Sequence, residues 1–310
     1  MLAIGFKITI GSLVFNYASS VEIKHTWKEA TSTCVLKFPR NLKLREQELK
    51  SYIKAGEKVA VYIGYDGDLN LEFNGYVRAV KNTTPVEIHC EDQMYMLKKG
   101  TITQAWRNAS LRSILSVIYS GEVKVFDAEI GAFTLNRTTP AIALDEIKTS
   151  TGLHSFFRNG VLVCGIQYDR ETASVHKYHF QKNVVENRNL EFQDKADVRL
   201  KIRAISILPN NQKIEIELGD KDGQERTLHF SNLKKPALQA MAEKEAEKLY
   251  YSGYRGSFTA FGIPTVKMGD IVDLQDSLYP ENGGRYWVDE VVVTAGMDGF
   301  RRQITLGPKA

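Results

Sequence analysis

His176 and His179 are a pair of residues whose types and spacing could bind a metal ion. Histidines three positions apart lie on one side of a helix and could supply two ligands to one ion. The neighbouring Val175, Tyr178 and Phe180 instead indicate a strand, in which residues three apart point to opposite faces. We therefore predict no metal site at this pair, and we identify no metal ligands elsewhere in the sequence.

The aspartate-rich segment Asp220-Lys-Asp222-Gly223 begins like a calcium-binding loop. Such a loop continues with a glycine at its sixth position and a bidentate glutamate at its twelfth. Glu225 and Ser231 occupy those two positions here. The segment therefore predicts a hairpin turn between strands and no calcium site.

Two acidic residues one helical turn apart could form a paired-carboxylate site. Glu243 and Glu247 have this spacing, but each is followed by a lysine, which indicates a solvent-exposed helix face. The sequence contains no phosphate-binding glycine loop, no nucleophile elbow and no His-Glu-x-x-His motif. We predict no catalytic residues, no cofactor-binding residues and no enzymatic activity.

Tyr250, Tyr251, Tyr254 and Arg255 form an aromatic and basic cluster after the longest predicted helix, at residues 234–251. Such a cluster could stack on bases or sugars. It could also pack at the corner between the helix and the next strand, and this is the interpretation we favour.

The composition excludes several broad classes of protein. The 310 residues are 43% hydrophobic and 25% charged, and 41 Lys and Arg against 37 Asp and Glu give a net charge of +4. This dispersed excess is too small to indicate nucleic-acid binding through phosphates. No apolar run approaches the roughly 20 residues of a membrane helix, and no signal peptide is evident. Cys34, Cys90 and Cys164 are isolated and odd in number, so we expect no disulfide framework and a cytosolic folding compartment.

A short pattern occurs twice, once near each end of the chain. Gly56-Glu-Lys-Val59 and Gly269-Asp-Ile-Val272 share a glycine, an acid and a valine at the same spacing. A turn-rich loop then leads to an aromatic-Val-x-x-Val strand, Tyr76–Val80 in one copy and Trp287–Val291 in the other. Any two glycine-bounded hairpins look somewhat alike, but two matches in the same order favour a duplicated β-domain.

The alternating strands and their Gly, Pro and Asn joints predict a mainly β protein with an α+β part. We expect two similar antiparallel β-barrel, tube-like domains flanking a small α+β domain. The predicted ranges are 1–100 for the first barrel, 101–194 for the α+β domain, and 195–310 for the second barrel with its long helix. We also expect a short amphipathic helix at residues 42–55.

Several of these stretches together resemble one family, the hub proteins of phage tails. The family includes late control protein D of contractile tails, the Mu-like baseplate hub, and the N-terminal half of the valine-glycine repeat protein of type VI secretion. The resemblance covers nearly the whole chain and rests on structural glycines and strand patterns in a shared order. Its residues are Phe73-Asn-Gly75-Tyr76-Val77, Pro85 to Asp92 with the Leu97-Lys98 helix, Gly253-Tyr-x-Gly256-Ser-Phe258, Gly262-x-Pro264-x-Val266-x-x-Gly269-Asp270, and Arg301 to Gly307.

The resemblance implies a homotrimer in which two barrels per chain give six similar units in a ring. Such a ring can dock a sixfold tail tube on one side and a trimeric spike on the other. The implied partners are a tail spike protein, a tail tube protein and other baseplate proteins, without membrane insertion by the chain itself and without sequence-specific nucleic acid. The implied location is the baseplate of a virion tail or phage-like particle, assembled in the cytoplasm of the bacterial host.

Two other classes remain open at this point. A tail-associated cell-wall hydrolase would need an acid and a nucleophile or base facing a cleft, and the sequence nominates no such pair. A β-rich carbohydrate- or nucleic-acid-binding module would gather its aromatic and basic residues in one groove, whereas the charges here are dispersed. Activity on peptidoglycan would identify the first class, and the mass of the assembly separates the second from a hub.

Overall fold

A computed structural model describes residues 3–39, 43–44, 47–48, 52–208, 210, 212–247 and 249–310. The described strands are β1 (Ile4–Ile10), β2 (Leu13–Phe15), β3 (Ser20–Thr26), β4 (Thr33–Phe38), β5 (Lys43–Leu44), β6 (Gln47–Glu48), β7 (Lys58–Tyr65), β8 (Asp68–Lys81), β9 (Val86–Glu91), β10 (Ile102–Ser110), β11 (Val123–Val125), β12 (Glu129–Thr138), β13 (Ser155–Arg158), β14 (Val161–Cys164), β15 (Val175–His179), β16 (Val184–Glu186), β17 (Leu190–Gln193), β18 (Leu200–Ile207), β19 (Lys213–Gly219), β20 (Gln224–Ser231), β21 (Gly253–Phe261), β22 (Ile271–Gln275), β23 (Gly284–Gly296) and β24 (Gly299–Lys309). The described helices are α1 (Met94–Leu97), α2 (Leu111–Ile118), α3 (Pro140–Thr151) and α4 (Lys235–Glu247).

The chain forms two compact units, each discontinuous in sequence. The first comprises Met1–Met96, Arg170–Leu190 and Gly256–Gly307, and the second comprises Leu97–Asp169, Glu191–Arg255 and Pro308–Ala310. The predicted ranges 1–100, 101–194 and 195–310 run consecutively instead. The difference arises because residues 170–190 add strands to the first unit, and because residues 191–255 belong to the second.

The first unit is a large, mostly antiparallel sheet whose strands fall into two groups. The first half has the order β1-β7-β8-β9-β4-β3, and the second half has the order β15-β22-β23-β24-β21-β16. The middle four strands of each half are antiparallel neighbours, but the outermost differ: β1 is antiparallel to β7, whereas β15 is parallel to β22. The two halves therefore share an order of strands without being identical.

The repeated sequence pattern corresponds to a repeated turn. Gly56 N donates to Val77 O at 2.8 Å, and Val77 N donates to Glu57 O at 2.9 Å. In the second half, Gly269 N donates to Val288 O at 2.9 Å, and Val288 N donates to Asp270 O at 2.9 Å. Both glycines have positive φ, 92° and 83°, which explains why glycine stands there in both copies.

The two halves are not separate barrels. The last part of β23 pairs with β3 from Glu290↔Thr26 to Gly296↔Ser20, so strands of both halves belong to one continuous sheet. Within the described residues this sheet has several edge strands, among them β2, β15 and β16, and no closed barrel is present. The prediction of two independent barrels is therefore corrected: β23 is long enough to pair with β22 at its start and with β3 at its end.

A buried ion pair also connects the halves. Glu72 on β8 accepts a hydrogen bond from Nη2 of Arg302 on β24 at 2.5 Å, and the two side chains are 4% and 1% exposed. Arg302 Nε additionally donates to Gly262 O at 2.6 Å. The His25 ring, whose pKa burial lowers, lies 3.0 Å from Glu72 O through Nε2. Glu72 and Gly262 O are the partners of the buried Arg302 charge, and they are needed because an unpaired buried charge is costly.

In its described residues, the second unit combines three small sheets with three α-helices. β18 lies between β19 and β20, while β11-β14-β13 and the ribbon β10-β12 form the other two sheets. Helix α4 packs on the first of these sheets, burying Leu238 and Ala242 against Ala204 and Ile216. The Asn159-Gly160 turn joins β13 to β14 with positive φ at both residues, 51° and 86°, as expected for a tight hairpin.

The helix ends follow sequence signals in part. Thr139 caps α3 by accepting from Ile142 N, and Gly152 ends that helix with φ of 74°. The long helix expected at 234–251 is shorter, Lys235–Glu247. The helix expected at 42–55 is not continuous, because Lys43–Leu44 pairs with Gln47–Glu48 as short strands; residues 42, 45–46 and 49–51 lie outside the described part.

Candidate assembly surface

His176 and His179, the pair considered and rejected as metal ligands, lie on β15 and have separate partners. His176 Nε2 is 3.0 Å from Asp270 Oδ2, whereas His179 Nε2 is 2.9 Å from Ser277 Oγ. Strand geometry therefore separates them as expected. Across the described ranges, no group of three or more His, Cys, Asp or Glu side chains could hold a metal ion.

The aspartate-rich segment is a turn closed by its own first residue. Asp220 Oδ1 accepts from Asp222 N at 3.1 Å, and Asp220 O accepts from Gly223 N at 3.0 Å. The turn does not join a hairpin, however. β19 and β20 flank β18 on opposite sides and β20 runs parallel to β18, so the segment passes across the start of β18, where Asp220 N donates to Leu200 O at 2.8 Å.

The acidic and aromatic candidates also have structural roles. Glu243 and Glu247 are exposed on α4, and Glu243 accepts from Gln239 Nε2 at 3.1 Å. The Arg255 guanidinium lies 4.5 Å from the centre of the Tyr251 ring and donates to its hydroxyl at 3.3 Å. Tyr251 and Arg255 of this cluster thus contact each other after α4, in agreement with the packing role favoured from the sequence.

A Ser-His contact that the sequence analysis missed is present at the surface. Ser277 Oγ lies 2.9 Å from His179 Nε2, and Gln181 N donates to His179 Nδ1 at 3.3 Å. Because Nδ1 accepts, Nε2 carries the proton and donates to Ser277, which leaves no base to activate the hydroxyl. This contact positions a loop and supplies no nucleophile; its partners are 98 residues apart, so no local spacing could reveal it.

Cys34 and Cys90 form a second relationship that the sequence did not indicate. They are directly opposite each other on β4 and β9, and both are free and buried. Burial, with the neighbouring Cys90 thiol, raises the pKa of Cys34, so the Cys34 thiol is a poor nucleophile in the folded protein. Their role in the described structure is core packing.

The exposed apolar residues of the first unit mark candidate contact surfaces. Val14 on β2 and Val185 on β16 are exposed at the two ends of the sheet. Leu278 and Tyr279, in the loop between β22 and β23, are 73% and 57% exposed. Edge strands that expose apolar side chains are suited to association with another chain. No helix of the described chain is long and apolar enough to cross a membrane.

Each unit has a cleft among its described residues. The cleft in the second unit, ≈ 500 Å³, is lined by Phe133 and Ile207 with exposed Asp145 and Glu146 at α3. The groove in the first unit, ≈ 620 Å³, is lined by charged strand residues, among them Lys37 and Glu87, which pair with each other at 3.2 Å. Among the described residues no hydrogen bond links a nucleophile to a base at either cleft, so sheet edges and loops are the better candidates for function.

The fold is shared with solved structures of phage tail proteins. The tail protein from Neisseria meningitidis MC58 is 14% identical, with a TM-score of 0.66 over 98% of this chain and 96% of that chain. The 43 kDa tail protein of prophage MuSo2 from Shewanella oneidensis is also 14% identical, with a TM-score of 0.62 over 99% and 97% of the two chains.

A third similar structure comes from a secretion system. The E. coli c3393 protein is described as a component of the type VI secretion system with structural similarity to T4 bacteriophage tail proteins gp27 and gp5. It is 10% identical, with a TM-score of 0.62 over 98% of this chain and 77% of that chain. No protein-family model matches the sequence, and no curated protein matches it significantly. At these identities the similarity establishes a common fold.

Proposed function

We propose that this chain is a structural, non-enzymatic hub of the baseplate in a phage tail or phage-like injection system. The observation that carries the proposal is the internal repeat. One chain holds two halves with the same order of strands and the same glycine turn, opposite Val77 in one half and Val288 in the other. The shared fold with phage tail proteins supports it.

In the proposed assembly three chains form a ring. Each chain contributes two similar halves of its sheet, so the ring offers six similar positions to a tail tube and keeps true threefold symmetry for a spike. Edge strands such as β2 and β16 are available for contact between chains. Stable interfaces of this kind bury on the order of 2,000 Å² or more, and the net charge of +4 opposes association only weakly at physiological salt.

The test is the mass of the protein alone and with its tail partners. We expect a trimer, either of the isolated chain or after addition of the spike protein of the same tail. A monomer in both cases, or a dimer without threefold contacts, contradicts the hub. Digestion of purified peptidoglycan by the chain, abolished by one carboxylate substitution, would instead indicate a hydrolase.

A further inference from the structure

The two halves of the sheet can be compared residue by residue because their turns are equivalent. Lys58 pairs with Tyr76 as Ile271 pairs with Trp287, each two residues after the turn glycine. Following each ladder away from that turn, the third pair beyond these is Val61↔Phe73 in the first half and Leu274↔Gly284 in the second. These pairs are therefore equivalent positions.

Beyond the equivalent pairs the two halves differ. In the first half, β7 and β8 continue as a hairpin that ends in the polar turn Asp66-Gly67. In the second half the ladder stops, and residues 276–283, which we name the Leu278 loop, connect the strands through a short 3-10 turn at Pro280–Asn282. Leu71 in the first hairpin is also exposed, at 45%, but it lies on β8 and not at the tip.

Hydrogen bonds hold the Leu278 loop in one conformation. Asp276 Oδ1 accepts from Leu278 N at 2.8 Å and from Gln181 Nε2 at 2.7 Å. The other end of the Gln181 amide accepts from Ser277 N at 3.2 Å. Pre-organised contact residues lose less conformational entropy on binding, so these bonds prepare the loop for a partner.

The loop presents two large apolar side chains and one acid. Leu278 is 73% exposed and Tyr279 is 57% exposed. Glu281 is also exposed, and no ion pair to it is found in the part of the chain that the structure describes. This chemistry fits a partner that offers an apolar recess with a basic rim, where aromatic and aliphatic anchors dominate binding.

We propose that the Leu278 loop binds the threefold-symmetric partner of the hub, the trimeric spike, and not the sixfold tube. This inference rests on the proposed function. A ring of three chains carries six similar halves but only three Leu278 loops, because the first half has a polar hairpin at the equivalent place. The Leu278 loop therefore occurs at every second of the six positions around the ring, which matches the three equivalent sites of a trimeric spike. A sixfold tube would meet a Leu278 loop at three positions and the hairpin of the first half at the other three.

The experiment compares two variants of the full chain for binding to the purified spike protein and tube protein of the same tail. The test variant is Leu278→Ser with Tyr279→Ser. The matched control is Met297→Ser, because Met297 is 96% exposed at the turn joining β23 to β24, at the other end of β23. Both variants change exposed residues only, and thermal unfolding checks that each folds as the wild type does.

We expect the test variant to bind spike at least about tenfold more weakly, a loss of about 1.4 kcal/mol, and to bind tube as the wild type does. The control should bind both partners normally. Equal spike binding by wild type and test variant overturns the inference while leaving the hub intact, and so does a selective loss of tube binding. If the wild type binds neither protein, the proposed function itself fails.

Discussion

Val77 and Val288 hold the same position in two copies of one turn. Each valine exchanges two backbone hydrogen bonds with a glycine and the acid that follows it, at distances of 2.8 and 2.9 Å in the first copy and 2.9 and 2.9 Å in the second. The valines are buried, and their neighbours Tyr76 and Trp287 occupy the same register. The repeat is thus a repeat of hydrogen bonding as well as of sequence.

The glycines of this turn provide the first prediction. Gly56→Ala and Gly269→Ala each force a side chain into positive φ, at 92° and 83°, which costs roughly 1–2 kcal/mol. We expect similar losses in the free energy of unfolding, measured by urea denaturation. Lys54→Ala, at an exposed position next to the first turn, is the control and should change stability by less than about 0.5 kcal/mol. A loss at only one glycine would argue against equivalent turns.

The sequence predicted the local features well because they depend on neighbouring residues. The side chains of Glu243 and Glu247 are exposed, as their neighbouring lysines indicated, and Tyr251 and Arg255 contact each other after the helix. The opposite faces of His176 and His179 followed from the period of a strand. Each of these conclusions needed only a few consecutive residues.

The remote pairings could not be predicted in the same way. Alternating strands such as β3 and β23 are compatible with many partners, and nothing in their spacing specifies that they join two halves in one sheet. The parallel pairing of β20 with β18 was hidden for the same reason, since a short polar turn usually indicates a hairpin. Ser277 meets His179 only because β15 pairs with β22. The Leu278 loop could therefore be identified only from the structure.

The buried pair of Glu72 and Arg302 provides the second prediction. Glu72→Gln leaves the guanidinium without a countercharge at a site where both side chains are at most 4% exposed. We expect a loss of about 3–5 kcal/mol in the free energy of unfolding. The double variant Glu72→Leu with Arg302→Met should cost less than the sum of the single variants Glu72→Leu and Arg302→Met, although Gly262 O then loses its donor. Additive losses in a double-mutant cycle would show that the pair is not coupled.

Asp92 provides the third prediction, a dependence of stability on pH. Its two carboxylate oxygens accept from Met94 N at 3.0 Å and Ser32 N at 2.9 Å, and burial raises its pKa from 3.8 to about 6. Because its pKa is raised in the folded state, protonated Asp92 contributes stability that is fully present below pH 3.8. That contribution is lost as the pH rises through about 6. A shift of about two units corresponds to about 3 kcal/mol.

The measurement is the unfolding free energy of wild type and Asp92→Asn between pH 3.5 and 7. Asparagine has one acceptor oxygen, so one of the two N–H groups loses its partner and the variant should be less stable by about 1–3 kcal/mol at acidic pH. The difference between the two proteins should shrink as the pH rises. A constant difference across this range would mean that Asp92 does not titrate as stated.

His229 provides the last prediction, with the opposite sign. Burial lowers its pKa from 6.5 to about 4, helped by the nearby charges of His154, Lys213 and Arg203. Because its pKa is lowered in the folded state, neutral His229 contributes stability that is fully present above pH 6.5. That contribution is lost as the pH falls through about 4. Its Nδ1 is buried with no hydrogen-bond partner among the described residues. No hydrogen bond at this nitrogen therefore stabilises the folded protein.

We therefore expect His229→Phe to be as stable as the wild type or more stable at pH 7, and to lose less stability between pH 6.5 and 4.5. Phenylalanine keeps the ring and removes both the proton and the unsatisfied nitrogen. Gly152→Ala is the contrasting variant, because a Cβ there would lie 1.8 Å from the His229 ring and φ is 74°; it should destabilise the protein at every pH. The readout is the pH dependence of hydrogen exchange at the buried amides of β18, which packs within the second unit. If the wild type and His229→Phe lose protection in parallel as the pH falls, a group other than His229 carries the acid sensitivity of this unit.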